Sequence, residues 1–251
     1  MLTMSWDDGH PADLRVAEMM ARHGIKGTFY VPIQNKEGLR VMSLANLRQL
    51  AANHEIGSHT YTHCYLTALS AGEAKREIST GKDALEAMIG RSVAGFCYPG
   101  GRVTDDHVAC VREAGFRYAR GIENCRTDLV FESFRMPTTL QIYPHKRSIY
   151  LQNFVTQGHW RRRALLLPAL LRRNELLGRL VGCFESARLR AGNSVVHFWG
   201  HSWELDTFGG WTTLEHLLRY LADQPDTLMV DNQEVATRAT RGLRPLDAYS
   251  G

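Results

Sequence analysis

The chain has 251 residues, 44% of them hydrophobic, and a formal net charge of +4. A chain of that size and composition can bury one large core, so a single domain is expected. The mild charge gives no reason to expect a nucleic-acid partner, and no run of about eighteen apolar residues is there to span a bilayer.

Short apolar runs alternate with longer amphipathic ones. Leu2 to Trp6 reads as a strand, Ala12 to Arg22 as a helix with Leu14, Ala17, Met20 and Ala21 at helical spacing, and Gly27 to Val31 as a β-branched, aromatic strand. Ser43 to Asn53 reads as a helix capped by Ser43, Ile56 marks a third strand, and Ser70 to Ile89 opens with a capping-box pattern, Ser70 to Glu73. A strand at Ala94 to Tyr98, a helix at Thr104 to Ala114 and a short strand at Arg117 to Ala119 follow. Val195 to His201 reads as a late strand, Trp211 to Ala222 as a helix, Thr227 to Val230 as a short strand, and Asp231 to Thr240 as a closing helix. The rhythm argues for an α/β fold of parallel strands with right-handed crossovers. The domain is expected over 1–245, with 246–251 as a loose tail.

Five scattered cysteines (Cys64, Cys97, Cys110, Cys125, Cys183) form no C-x-x-C pair. They indicate neither a disulfide framework nor a thiolate zinc site and read as reduced thiols. Residues 1 to 25 lack a basic region followed by an apolar run, and chemistry-bearing residues begin at position 7, so a cytoplasmic location is expected.

The stretch Asn53 to His63 offers two imidazoles, His59 and His63, four apart. Read as a helix capped by Ser58, it sets both rings on one face, where they can share a metal; two hydrogen-bonded, half-buried histidines are the plainer alternative. Asp7 and Asp8 end the first strand, and two adjacent carboxylates there call for a positive partner. In barrels of parallel strands, chemistry gathers at the strands' C-terminal rim. Asp7 and Asp8, His59, the Tyr98-Pro99-Gly100-Gly101 turn and His201 all fall at such exits.

These residues carry a resemblance. Ser5-Trp6-Asp7-Asp8-Gly9 and His59-Thr60-Tyr61-Thr62-His63 are similar to the first two motifs, T-F-D-D-G and H-[ST]-x-x-H, of the polysaccharide deacetylases, carbohydrate esterase family 4. The resemblance covers about residues 1 to 120 and 192 to 205. It implies a distorted (β/α)₇ barrel, a divalent metal on Asp8, His59 and His63, and Asp7 as general base. The cation is Zn²⁺ first, with Co²⁺, Mn²⁺ or Ni²⁺ compatible. It also implies an oxyanion and substrate wall from Tyr98, Gly100 and Trp199, the bulk of Trp199 favouring an acetyl or formyl group.

The general acid falls on Trp199-Gly200-His201, with His201 at the rim and His197 as the competing choice, better read as a buried core imidazole. The family's third-motif Arg, which braces the base, is replaced here by Cys97, so Asp7 is expected to lack its tether. The fourth motif has no clear equivalent, leaving Glu204 or Asp206 as candidates to orient His201.

Between Arg161 and Arg190 stand eight Arg and two Glu, interleaved with leucines. This basic amphipathic segment, at about 155–190, reads either as ordinary surface helices or as a face for an anionic membrane or a substrate's phosphates. The reaction implied is metal-dependent removal of a small N-acyl group from an amino sugar, free, polymeric, lipid-linked or nucleotide-linked. A hydrolase of a small cyclic amide or ureide and an inactive carbohydrate-binding relative are the alternatives.

Overall fold

The structure, a computed structural model, describes residues 1–189 and 194–242. Arg190 and the expected tail at 246–251 lie outside the described residues.

Seven parallel strands form one curled sheet in the order β5-β4-β3-β2-β1-β7-β6. They are β1 (Leu2–Asp7), β2 (Thr28–Val31), β3 (Glu55–Ser58), β4 (Gly95–Cys97), β5 (Tyr118–Arg120), β6 (Leu140–Gln141) and β7 (Val196–His201). Helices α1 (Asp13–Arg22), α2 (Leu44–Ala51), α3 (Ala71–Ile89) and α4 (Asp105–Glu113) make the first crossovers. After β6 come α5 (Arg147–Thr156), α6 (Trp160–Arg163), α7 (Leu167–Arg172) and α8 (Leu176–Arg188), and after β7 come α9 (Ser202–Thr207), α10 (Trp211–Ala222) and α11 (Asn232–Gly242). This is a distorted (β/α)₇ barrel.

The distortion lies at the closure. Between β5 and β6 the sheet is bridged by the segment leading into β6: Met136 N–H donates to Ala119 O at 2.8 Å, and Thr139 N–H donates to His197 O at 2.8 Å. One stretch of chain thus touches both rims of the gap.

Register explains which side chains reach the interior. Thr3, Ser5 and Asp7 lie opposite His197, Trp199 and His201 in the β1–β7 ladder, and period-2 geometry puts each set on one face. Leu2, Met4 and Trp6 point the other way into the main core. The inward face is polar below the rim: Ser5 Oγ meets His197 Nε2 at 2.8 Å, Thr3 Oγ1 donates to Asn232 Oδ1 at 2.8 Å, and Asn232 Nδ2 donates to the Tyr30 hydroxyl at 2.9 Å. Buried polar groups persist when satisfied by one another.

Three local expectations change. His59 to Tyr65 is loop rather than helix, and the buried Ser58 hydroxyl caps nothing. Thr227 to Val230 is a single parallel bridge, Leu2 with Met229, rather than a strand. In the basic segment, Arg163 and Arg179 are buried, whereas a solvated arginine face was one of the two readings. Arg163 donates to the carbonyls of Phe154, Gly158, Asn153 and Asn124, and Arg179 to those of Arg173 and His145. Both tie the post-β6 helices together, and carbonyl acceptors satisfy them without a carboxylate.

Candidate active site

Asp7 and Asp8 leave β1 in different directions because the backbone turns left-handed at Asp8 (φ 77°) and Gly9 (φ 59°). At Gly9 a Cβ would come within 2.7 Å of Val31 Cγ1, so only glycine fits the turn. A left-handed aspartate is costly unless its surroundings hold it, and such strain gathers at working sites. Thr60 (φ 65°) and His63 (φ 56°) share that conformation.

The H-x-x-x-H segment is therefore a strained loop. Helix α3 holds it from behind: Glu77 accepts from Tyr61 N–H at 3.0 Å, from Thr62 N–H at 2.8 Å and from Thr62 Oγ1 at 2.9 Å. Gly81, one turn further along α3, lies against the same loop; a Cβ there would sit 2.9 Å from Thr60 C and Tyr61 N. The carboxylate of Glu77 does for these backbone N–H groups what a helix would have done, so the loop needs no helical bonds.

The two rings approach to 4.9 Å between centroids. His63 Nε2 lies 3.0 Å and His59 Nε2 3.7 Å from Asp8 Oδ1, a buried oxygen that meets no donor besides these two rings. Asp8, His59 and His63 thus bring one ligand atom each within 4.8 Å of one another. His59 Nδ1 is engaged by Cys97 O at 2.8 Å, which turns Nε2 toward the cluster. Burial pushes the His59 imidazole down to about 4, so it is neutral and ready to ligate at neutral pH. Two imidazoles and a carboxylate with an orphaned oxygen fit a divalent cation with positions left open.

Asp7 is tethered after all, which corrects the expectation drawn from Cys97. Arg120 Nη2 donates to both Asp7 oxygens, to Oδ2 at 2.6 Å. Arg120 stands at the end of β5 and pairs in register with Cys97 on β4. The guanidinium therefore comes from one strand over. It is fully buried, 5.4 Å from the Tyr30 ring and 4.7 Å from the Trp199 ring, and the Cys97 thiol lies 3.8 Å from Asp7 Oδ2.

His201 sits at the junction of β7 and α9. Its Nδ1 meets Glu204 Oε2 at 2.9 Å, and its Nε2 faces Asp8 Oδ2 at 3.9 Å. Burial opposes its charge, but the Glu204 hydrogen bond and the Asp8 and Asp7 carboxylates prevail and push it up to about 9. Gln141 Nε2 donates to Glu204 Oε2 at 3.2 Å, and His145 Nε2 meets Gln141 Oε1 at 2.9 Å, so the orienting carboxylate is itself held. Asp206 is occupied elsewhere, accepting from Trp211 Nε1 at 2.7 Å.

His197 is buried between Ser5 Oγ and Pro137 O, and burial with the nearby Arg120 charge lowers it to about 3. Trp199 packs edge-on to His201 with centroids 5.5 Å apart. Tyr98 turns into the core: its hydroxyl donates to Phe134 O at 3.1 Å and its N–H to Arg120 O at 3.2 Å. Gly100 is left-handed (φ 60°), and a Cβ there would collide with Tyr65 Cε1 at 2.5 Å.

Part of the chain is similar to known proteins. The model of the polysaccharide deacetylase family matches residues 1–119. Over that part the chain is similar to the polysaccharide deacetylase family. Among curated proteins, a chitin deacetylase of Pestalotiopsis sp is 28% identical over 89 residues, 35% of this chain and 30% of that protein. A peptidoglycan-N-acetylglucosamine deacetylase of Bacillus cereus is 24% identical over 119 residues, 46% of this chain and 42% of the relative. The chain thus spans less than half the length of the curated relatives it matches. In fold it is similar to the Xyl-CE4 domain of a multidomain xylanase from the hindgut metagenome of Trinervitermes trinervoides, at 17% identity and a TM-score of 0.61, covering 97% of this chain and 92% of that one.

The candidate site contains four residues that the sequence motifs did not single out. Arg120 lies one residue beyond the short strand read at Arg117 to Ala119 and was given no role. Glu77 and Gln141 sit in stretches with no motif, and only the fold brings them to the rim. Trp203, whose indole N–H donates to Asp8 Oδ2 at 2.9 Å, lies beside the catalytic candidates in Ser202-Trp203-Glu204 and could have been singled out as a donor next to His201.

Proposed function

We propose that the protein is a metal-dependent hydrolase that removes a small N-acyl group, acetyl first and formyl also compatible, from an amino sugar. The observation that carries this reading is the pairing of two carboxylates with opposite commitments. Asp8 Oδ1 is orphaned against two imidazole nitrogens, while neighbouring Asp7 is held by Arg120.

A divalent cation, Zn²⁺ first and Co²⁺, Mn²⁺ or Ni²⁺ compatible, would be held by Asp8, His59 and His63, and when bound supplies a Lewis acid and a water of lowered pKa. Asp7, aligned by Arg120, takes the proton from the attacking water. The Gly100 backbone N–H serves the developing oxyanion. His201, kept charged by Glu204, gives its proton to the leaving nitrogen as the C–N bond breaks, so a carboxylic acid and a free amine result. Trp199 closes the acyl side, where a small group fits.

A metal-free hydrolase of a cyclic amide or ureide is disfavoured by the orphaned Asp8 oxygen, and an inactive binding relative by a buried base with its own guanidinium. Five free cysteines support a reducing compartment, and among the described residues no helix is long and apolar enough to cross a membrane. We read the substrate as lipid-linked and met at an anionic membrane surface on the cytosolic side, supported by an acid-free, basic and partly apolar face on helices α5 to α7.

The test is acetate and formate release from N-acylated amino sugars in free, polymeric, nucleotide-linked and lipid-linked form, with metal loaded. Activity that a chelator removes, that Zn²⁺ or Co²⁺ restores and that Asp7→Asn lowers by about 10²- to 10⁴-fold supports the reading. A flat result across all of them with stoichiometric metal bound overturns it.

A further inference from the structure

We propose that Trp203 is a positioning residue of the cation site: its indole N–H reserves one oxygen of Asp8, so that Asp8 ligates through Oδ1 alone. This inference rests on the metal-hydrolase reading above.

The two oxygens of Asp8 have different surroundings. Oδ2 accepts from Trp203 Nε1 at 2.9 Å. Oδ1 faces His59 Nε2 at 3.7 Å and His63 Nε2 at 3.0 Å, the two ring atoms that would share the cation, and meets no donor besides those rings. An indole nitrogen can donate but can neither accept nor ligate, so Trp203 orients the carboxylate without competing for the cation. A histidine or asparagine there could turn a lone pair inward.

The consequence concerns coordination number. A carboxylate with both oxygens free can chelate, using two positions, whereas one with an oxygen spent on a donor binds through one. With two imidazoles and one oxygen, the remaining positions stay open for water and the acyl carbonyl. The same ring lies 5.6 Å from the His201 imidazole at 31° between planes, so Trp203 also packs along the acid. The local sequence makes this possible: Trp203 is on the first turn of α9, directly after β7, where β1 and β7 run side by side up to Asp7 and His201.

The decisive variant is Trp203→Phe, which keeps a ring and removes the N–H. Two quantities are measured on folded protein, with thermal unfolding as the check: the Kd for Zn²⁺ by chelator competition, and the visible spectrum of the Co²⁺ form. The expected result is a Kd raised about 10- to 100-fold, with a weaker Co²⁺ absorption as coordination number rises. Trp203→Ala should raise Kd by a similar factor, because the N–H and not the ring sets it.

Wild-type protein labelled with ¹⁵N-tryptophan gives a readout that needs no variant. The Trp203 indole proton should exchange slowly with Zn²⁺ bound. Fast exchange of that proton in the loaded protein overturns the proposal, as does a Trp203→Phe whose Kd and spectrum match wild type; either leaves the hydrolase reading intact. A wild-type chain that binds no cation overturns both.

Discussion

Cys97 and Arg120 face each other across β4 and β5, and Arg120 reaches past the thiol to Asp7. A buried carboxylate left alone in this interior would be costly, so the guanidinium must come from somewhere within reach. Moving it to the adjacent strand keeps the charge pair while freeing position 97 for a small side chain. On the proposed reading, Glu204 makes a similar substitution for the orienter of the acid, from three residues along the chain rather than from a distant motif. The sign of its effect can be worked out. Its carboxylate favours the charged imidazole, so His201 stays protonated up to about pH 9, and the acid form is lost as pH rises through that value. Glu204→Gln removes the charge but keeps an acceptor. The alkaline limb of kcat should then move to lower pH, with kcat near neutrality falling about 10-fold or more. A limb that stays put in the variant would show that Glu204 does not hold the proton on His201.

At the level of elements, the strands and crossover helices up to β5 were legible because their hydrophobic periodicities are undisturbed and their caps explicit. Ser43 caps α2, and the Ser70–Glu73 capping box opens α3 as the pattern predicts. The loop after β3 was misread because spacing alone cannot distinguish an i, i+4 helical pair from two histidines held by a helix elsewhere in the sequence. The missing information lies in α3, where Glu77 and Gly81 share a face against Thr60–Thr62. Two-residue β6 carries no periodicity to read, and Gln141 entered the site unseen with it. The role of α3 gives a sharp expectation for Gly81→Ala. Within the helix the change is favourable by about 1 kcal/mol. Its Cβ, however, meets backbone atoms at 2.9 Å that cannot rotate away. The His59–His63 loop must shift, so Zn²⁺ affinity should fall by about 10-fold while far-ultraviolet circular dichroism keeps its helical content. Chelator competition on the variant decides it, and an unchanged Kd would mean the loop does not depend on that contact.

On the scale of the whole molecule, charge and apolar exposure are unevenly distributed. The chain carries no Asp or Glu between Glu132 and Glu175, a span that contains α5, α6 and α7. Val155 is 77% exposed and Trp160 58%, with Leu151 and Leu165 also exposed, while Lys146, Arg147, Arg161, Arg162, Arg172 and Arg173 reach solvent around them. Asp128 and Glu123 from the preceding loop meet Arg162 and His159, at 3.5 Å and 2.9 Å, and neutralise only that edge. The two arginines of this region that are buried, Arg163 and Arg179, fix the helices instead of contributing charge to the face. These helices follow β6 at the same rim as His201, and His145, Gln141 and Glu204 connect the two by hydrogen bonds. A surface of this kind gains from anionic headgroups through its cations, roughly 1 kcal/mol for each one near the surface, and from the interface through its apolar tips. The protein should therefore sediment with vesicles containing about a third phosphatidylglycerol and stay in solution with phosphatidylcholine alone. Raising salt to about 0.5 M shortens the screening length to about 4 Å and should release most of it. Val155→Ser with Trp160→Ser should lower partitioning about 10-fold or more without changing Tm, because both side chains face solvent in the free protein. Equal sedimentation with neutral and anionic vesicles, or a double variant that partitions like wild type, would mean that this face meets something other than a membrane.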